Sequence, residues 1–426
     1  MPSLPLEGIR VIDLSMWFAG PMCTRLLGDM GAEVIKVESI KHIDPWRGGV
    51  DPDRAKLAFP LRPPTDRPYD GNPGFNLQNR NKYGVTLDLN TPEGRDILLR
   101  LVKVSDVLVE NYSPRVMPRL GLDYSVLKTA NPKLIMMSLP ALGSTGRDRD
   151  YLAFGQTIDC MSGMAYLTGY IGEEPMLQSG LSYGDPLSGM NAAFSVVAAL
   201  NHRRRKGEGL HIELSQVEGL IAFNADSVMD YTMNGRVRER MGNRDRLMAP
   251  HDCYRCKGED RWVAIAVPDD DTWQRFRQAM GDPAWATEAR FGDVLGRYAN
   301  QDEMDKLIEV WTLGHDHYTA MKLLQDAGVP AGPVLDAKES VEEPHFNARG
   351  VYEVVEHPVA GSHPYIGAFA QFLKTPIHIR MPAPMLGQHN RYVFGQLLGM
   401  PEEEIAALEK KGITGNVPAA EQQGSM

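Results

Sequence analysis

The segment Tyr183-Gly184-Asp185-Pro186 places one side chain where it could do chemistry. An aspartate that follows a turn glycine and precedes a proline predicts a helix N-cap, because proline suits the first helical position, where its missing N–H costs nothing. The run Ser188-Gly189-Met190-Asn191-Ala192-Ala193-Phe194-Ser195-Val196-Val197-Ala198-Ala199-Leu200 is small or apolar almost all round, so the helix is expected to be buried. At its start the free amides and the helix dipole favour an ionised carboxylate, which could act as a nucleophile on an activated acyl group. The same spacing also fits a purely structural cap.

Other chemistries lack their residues. The sequence has no G-x-S-x-G elbow, no H-E-x-x-H, no Walker motif and no histidine cluster with ligand spacing, so carboxylate chemistry remains and no metal is expected. Cys253 and Cys256 have C-x-x-C spacing, but no second pair accompanies them. They precede the strand-like Arg261-Trp262-Val263-Ala264-Ile265-Ala266-Val267, a pattern that predicts a hairpin. With Cys23 and Cys160 they make four cysteines, too few and too scattered for a disulfide framework.

The elements that must position such a site begin at residue 8. Gly8–Leu14 reads as a strand, Ser15–Gly20 as a loop, Pro21–Asp29 as a helix stopped by Gly31, and Glu33–Glu38 as a second strand. Ligands of parallel α/β sheets sit beyond the carboxyl ends of the strands, so Trp17 and Phe18 become candidate substrate-binding residues. The loop lacks the Gly-x-Gly-x-x-Gly spacing of a dinucleotide site, which ranks an NAD-dependent oxidoreductase last. His42–Pro73 reads as a long irregular excursion. Further strands are expected over Gly84–Leu89, Asp106–Glu110, Leu134–Ser138 and His211–Leu214. A helix capped by Thr91 runs to about Val104, and another covers Val217 to about Met233. A Rossmann-like doubly wound parallel sheet over residues 1–220 follows, then a linker helix and smaller α/β domain over 221–335, and a C-terminal segment over 336–426 that returns to the large domain. That last segment holds short β-like runs at Val351–Val355 and Ala368–Phe372, a helix near Arg391–Leu398 and a polar, frayed tail from Asn416.

At 426 residues, with 43% hydrophobic, 23% charged and 8% aromatic content, the chain has the composition of an ordinary globular protein. A formal charge of −10 argues against nucleic acid. The basic run His202–Lys206 reads as a solvated helix end. No apolar run reaches the roughly 18 residues of a membrane span and no leader is evident, so a cytoplasmic enzyme is expected.

Leu6-Glu7-Gly8, Val11-Ile12-Asp13-Leu14, Ala19-Gly20-Pro21, Leu26 to Glu38, Asn81-Lys82, Val109-Glu110-Asn111-Tyr112, Arg119-Leu120-Gly121, Gly328 to Val334 and Leu386-Gly387-Gln388-His389 occur in that order. In this the chain resembles the class III acyl-CoA transferases, a family that includes formyl-CoA transferase, carnitine CoA-transferase and α-methylacyl-CoA racemase. The resemblance implies coenzyme A, as acyl-CoA, for the substrate and Asp185 for the covalent nucleophile. It implies CoA contacts at Ala19, Lys82, Asn111, Tyr112, Arg119 and Leu120, with Lys82 and Arg119 suited to phosphates. It also implies an interlocked dimer, either a homodimer or a heteromer with a related subunit.

Three departures narrow this. Phe18 stands where formyl-CoA transferase has a glutamine, so an apolar or aromatic acceptor is expected in place of oxalate. Ser39 stands where that enzyme has a CoA-contacting arginine. Phe154-Gly155-Gln156 stands where the racemase has its acid/base histidine, so transfer of CoA between an acyl-CoA and a free carboxylic acid is favoured over racemisation. A non-catalytic subunit is the remaining alternative, and retention of Asp185 argues against it.

Overall fold

The computed structural model describes residues 3–48, 65–175 and 182–419. It divides into two compact units, Met1–Met164 with Leu177–Met229 and Ala348–Met426, and Ala165–Met176 with Asp230–Asn347.

The first unit is built on a six-stranded parallel sheet. Its strands are β1 (Arg10–Asp13), β2 (Glu33–Glu38), β3 (Lys82–Thr86), β4 (Val107–Glu110), β5 (Ile135–Ser138) and β6 (His211–Glu213), in the order β3-β2-β1-β4-β5-β6. This is the strand order of a doubly wound α/β fold, as expected, with its topological switch point between β1 and β4. Its longer helices before the second unit include α1 (Ala19–Asp29), α2 (Pro73–Asn79), α3 (Pro92–Lys103), α4 (Tyr124–Ala130), α5 (Gly155–Met161), α6 (Gly184–Lys206) and α7 (Gln216–Phe223), and α8 (Ala225–Asn234) begins in it.

Both faces of the sheet are covered, which is why its strands are apolar almost throughout. Val11, Val34, Val107, Val109, Ile135 and Met137 point to one side and pack with Cys23 and Leu27 of α1 and Ala192, Ala193 and Val196 of α6. Ile12, Ile35, Val85, Leu108 and Met136 point to the other and meet Leu98, Leu101 and Val102 of α3, together with Val393, Phe394, Ile405 and Leu408 of the C-terminal segment. α1 and α6 approach closely because Gly189 has no side chain. A Cβ there would lie 2.8 Å from the Ala19 carbonyl oxygen.

Several expected elements differ in detail. β3 starts at Lys82 rather than Gly84, because the side chain of Lys82 is paired inside the protein and does not end the strand. α3 is capped as expected, Thr91 Oγ1 accepting from Gly94 N–H at 3.0 Å. The helix expected over Val217–Met233 is two helices, α7 and α8, interrupted at Asn224, whose N–H closes back on the Leu220 and Ile221 carbonyls. α6 is buried on one side only. Its small residues face α1, while Met190, Phe194 and Val197 are exposed. Residues 49–64 of the His42–Pro73 excursion lie outside the described residues, and so does the tail beyond 419. Ala368–Phe372 is irregular; the second strand of that hairpin is Gly361–Ile366, paired with Tyr352–His357. Arg391–Leu397 is a π-helix.

The second unit carries a three-stranded antiparallel sheet of β7 (His251–Arg255), β8 (Trp262–Ala266) and β9 (Ala331–Pro333). Its core is aromatic and aliphatic, with Trp273, Phe276, Phe291, Met304, Ile308 and Leu324 fully buried. Cys253 and Cys256 lie at this hairpin as free thiols. No helix among the described residues is long and apolar enough to cross a membrane.

Candidate active site

A cleft of about 550 Å³ opens in the first unit. Its lining comes from the β1–α1 loop (Met16, Trp17, Phe18), from Asn111–Pro114 after β4, from Tyr151–Ile158 at the start of α5, and from Ser182 and Asp185. It thus lies beyond the carboxyl ends of β1 and β4, where the strand order reverses.

The floor is fixed by buried charge. Asp13, at the end of β1, accepts from Ser15 N–H (2.9 Å), from Thr24 Oγ1 (2.7 Å) and from Lys82 Nζ (2.9 Å). Burial pushes its carboxyl up, but the charges of Lys82 and Lys36 and the Ser15 hydrogen bond outweigh this and bring it down to about 2. Lys36 Nζ donates to the Ser15 carbonyl (2.8 Å) and pairs with Asp44 (3.0 Å), which in turn accepts from Trp17 N–H (3.2 Å). Asn111 holds Met16 at both ends: its Oδ1 accepts from Met16 N–H (2.9 Å) and its Nδ2 donates to the Met16 carbonyl (2.7 Å). Trp17 is held in the left-handed region at φ 64°, a strained conformation for a bulky residue. Its ring meets Phe154 edge to face at 5.4 Å, and Phe18 meets Trp46 likewise at 5.3 Å. Beneath Tyr112, Glu110 accepts from its N–H (2.8 Å), and burial pushes the Glu110 carboxyl up to about 7.

Asp185 is not the N-cap. That position belongs to Tyr183, Asp185 lies in the first turn of α6, and no side chain of the α6 sequence closes the helix start. The start is held instead by Asp159 of α5, whose Oδ1 accepts from Gly184 N–H (3.1 Å) and Ser182 Oγ (3.0 Å). The Asp185 carboxyl lies against Gly155, where an added Cβ would collide with both it and Ser182. Burial and the neighbouring charge of Asp159 push Asp185 up to about 6, against the fully ionised state expected of a capping residue.

The other expected site residues are dispersed. Trp17, Phe18, Asn111 and Tyr112 join Asp185 in the cleft wall. Ala19 is buried beneath α6. Lys82 is fully buried with three hydrogen bonds, to Asp13, to the Pro21 carbonyl (3.0 Å) and to Asn79 (2.9 Å), so its ammonium has no proton left for a phosphate in this conformation. Arg119 is exposed at the end of the turn Val116–Arg119, and Leu120 packs on the core. Ser39 Oγ accepts from Lys41 N–H. Sequence reasoning missed Asp159, the steric role of Gly155, and Trp46. Phe154-Gly155-Gln156 had marked only an absent histidine, and Gln156 lines the cleft there. The described residues contain no group of three or more His, Cys, Asp or Glu placed to hold a metal.

Comparison with known proteins decides what this architecture is. The profile of CoA-transferase family III matches residues 6–390. The chain belongs to that family. This class III CoA-transferase is 35% identical over 413 residues to the succinyl-CoA–D-citramalate CoA-transferase of Chloroflexus aurantiacus, covering 97% of this chain and 98% of that one. It is 32% identical over 410 residues to the succinyl-CoA–L-malate CoA-transferase alpha subunit of Chloroflexus aurantiacus, covering 96% and 92%. Among solved structures, a CAIB/BAIF family protein from Brucella suis superimposes with a TM-score of 0.81 at 28% identity, covering 93% of this chain and all of that one. The family resemblance read from the motifs is borne out, and with it an enzyme that transfers CoA between an acyl-CoA and a carboxylic acid.

Proposed function

We propose that the transfer runs through a covalent intermediate on Asp185, from an acyl-CoA donor to a free acid with an apolar or aromatic body. An Asp185 oxygen attacks the thioester carbonyl, the C–S bond breaks and CoA leaves as the thiolate, giving a mixed anhydride. The thiolate attacks the aspartyl carbonyl, releasing the donor acid and leaving an aspartyl-CoA thioester. The acceptor carboxylate attacks that thioester, expelling the thiolate and forming a second anhydride. The thiolate then takes the acceptor acyl group and frees Asp185. No net proton is consumed.

The observation that carries this reading is the Asp185 carboxyl itself, half-buried in the wall of a cleft at the sheet's switch point, with its ionisation moved into the range where a carboxylate works near neutral pH. Asn111 and Tyr112, in the cleft wall, and the exposed Arg119 are the CoA contacts best supported by position. Ala19, Leu120 and Lys82 contribute from beneath, Lys82 by holding Asp13 and the first turn of α1. Trp17, Phe18, Trp46, Phe154 and Tyr151 give the wall its apolar character, which supports the acceptor class.

An oligomer is supported by exposed apolar side chains on neighbouring helices: Phe194 is 75% and Phe223 61% exposed, with Met190, Val197 and Ile221. We read the partner as a second copy in an interlocked homodimer of a cytoplasmic enzyme. The alpha and beta subunits named for the malate transferase of Chloroflexus aurantiacus favour a related chain as the alternative.

Incubation with succinyl-CoA followed by hydroxylamine and peptide mass spectrometry tests the nucleophile. Modification confined to the peptide containing Asp185, absent in Asp185→Asn, is expected. Exchange by Asp185→Asn within about tenfold of wild type, a barrier change of only ~1.4 kcal/mol, would defeat the reading.

A further inference from the structure

Asp159 is nearly buried, at 4% exposure, and is not a member of the cleft lining. From α5 it reaches the α6 start 25 residues away, accepting from Gly184 N–H at 3.1 Å and from Ser182 Oγ at 3.0 Å, while Gly184 N–H also reaches Ser182 Oγ at 3.2 Å. It takes the place that Asp185 would take as an N-cap. The Asp185 carboxyl lies instead against Gly155, at the first turn of the helix that carries Asp159.

We propose that Asp159 is a positioning residue for the acyl transfer: by holding Ser182 and the first N–H of α6, it seats the Asp185 carboxyl against Gly155 and keeps a negative charge beside it. This rests on the reading of Asp185 as the nucleophile. Two consequences follow from one side chain. The carboxyl is aimed into the cleft instead of being satisfied at the helix end, and its anion is destabilised, which makes it a stronger nucleophile than a capping carboxylate would be.

The titratable or charged groups on the elements packed around this point are Asp159 and Cys160 on α5, Cys23, Arg25 and Asp29 on α1, Glu218 on α7, Tyr183 at the start of α6, and Tyr112, Arg149 and Tyr151 in the cleft wall. Of these, Asp159 alone contributes a charge effect at Asp185, after burial.

Carbodiimide labels the protonated carboxyl, so peptide-resolved labelling of Asp185 in the intact protein from pH 4 to pH 8, with glycine ethyl ester as the capturing amine, reads this directly and needs no substrate. Asp159→Asn is expected to move the labelling midpoint of Asp185 down by about one pH unit, whereas Asp159→Glu, which keeps the charge, holds it near wild type. Asp159→Ser, neutral and smaller, serves if Asp159→Asn does not fold. A midpoint that stays in place in the neutral variants overturns the proposal. A role confined to holding the fold would lower the melting temperature and leave the midpoint alone. The measurement is independent of catalysis, so exchange retained by Asp185→Asn would defeat the nucleophile while leaving the midpoint to be judged separately.

Discussion

A carboxyl that loses its proton near pH 6 affects activity and stability in opposite directions. Attack on a thioester needs the anion, so kcat/KM for CoA exchange is expected to rise through pH 6 and level off above it. Measurement from pH 4.5 to 8.5 checks this; a limb near the ordinary 3.8 would contradict it. For folding, the native value lies above the unfolded one. The favourable contribution is therefore complete below 3.8 and is lost as pH rises through about 6, leaving a net cost at neutral pH. Asp185→Asn is accordingly expected to raise the melting temperature at pH 7.5 but not at pH 3.5. Gly155→Ala forces the carboxyl aside and should lower kcat by about 100-fold with the fold retained, read by steady-state kinetics beside circular dichroism. Spacing together with the family resemblance singled out Asp185, and the structure places it in the cleft wall. Its raised ionisation was not legible, because it comes first from burial and then from the charge of Asp159, which arrives from another helix, and neither belongs to a local pattern.

At the scale of elements, the β1–α1 loop is a rigid platform. Asn111, Asp44 and Lys36 hold its backbone from below, leaving Trp17 and Phe18 to form apolar wall. Exchanging Phe18 for Gln is expected to reduce kcat/KM for aromatic acids about tenfold more than for small polar acids, since burying such a ring contributes roughly 1.5–3 kcal/mol. Equal losses for both acid classes would speak against a pocket role. The apolar runs gave away most strands of the large sheet. They misplaced β3 because a buried, fully paired lysine looks like the end of an apolar run. They also merged α7 with α8, since periodicity does not register an asparagine that closes one helix and opens space before the next.

At the scale of the whole molecule, alternating β and α signals made the parallel sheet legible, because each crossover must cover a face of it. The seat of the C-terminal segment was legible only by resemblance. Its anchors, His389 Nδ1 accepting from Gly84 N–H at 3.0 Å and Asn390 Oδ1 from Thr86 N–H at 2.9 Å, join positions more than 300 residues apart. The apolar face of α6, which adjoins that of α7, also reads, in sequence, as core. If two interlocked copies cover them, differently tagged preparations mixed under native conditions should show almost no subunit exchange over a day and exchange freely after unfolding and refolding. Rapid native exchange would exclude interlocking.

The fate of one oxygen atom tests the central claim most directly. In the proposed route the acceptor carboxylate forms an anhydride with Asp185, and when the thiolate takes the acyl group the bridging oxygen stays on the aspartate. With an acceptor acid carrying ¹⁸O in both carboxyl positions and succinyl-CoA as donor, the Asp185 peptide should gain ¹⁸O during turnover. Full exchange activity with no ¹⁸O on that peptide would contradict covalent transfer through Asp185.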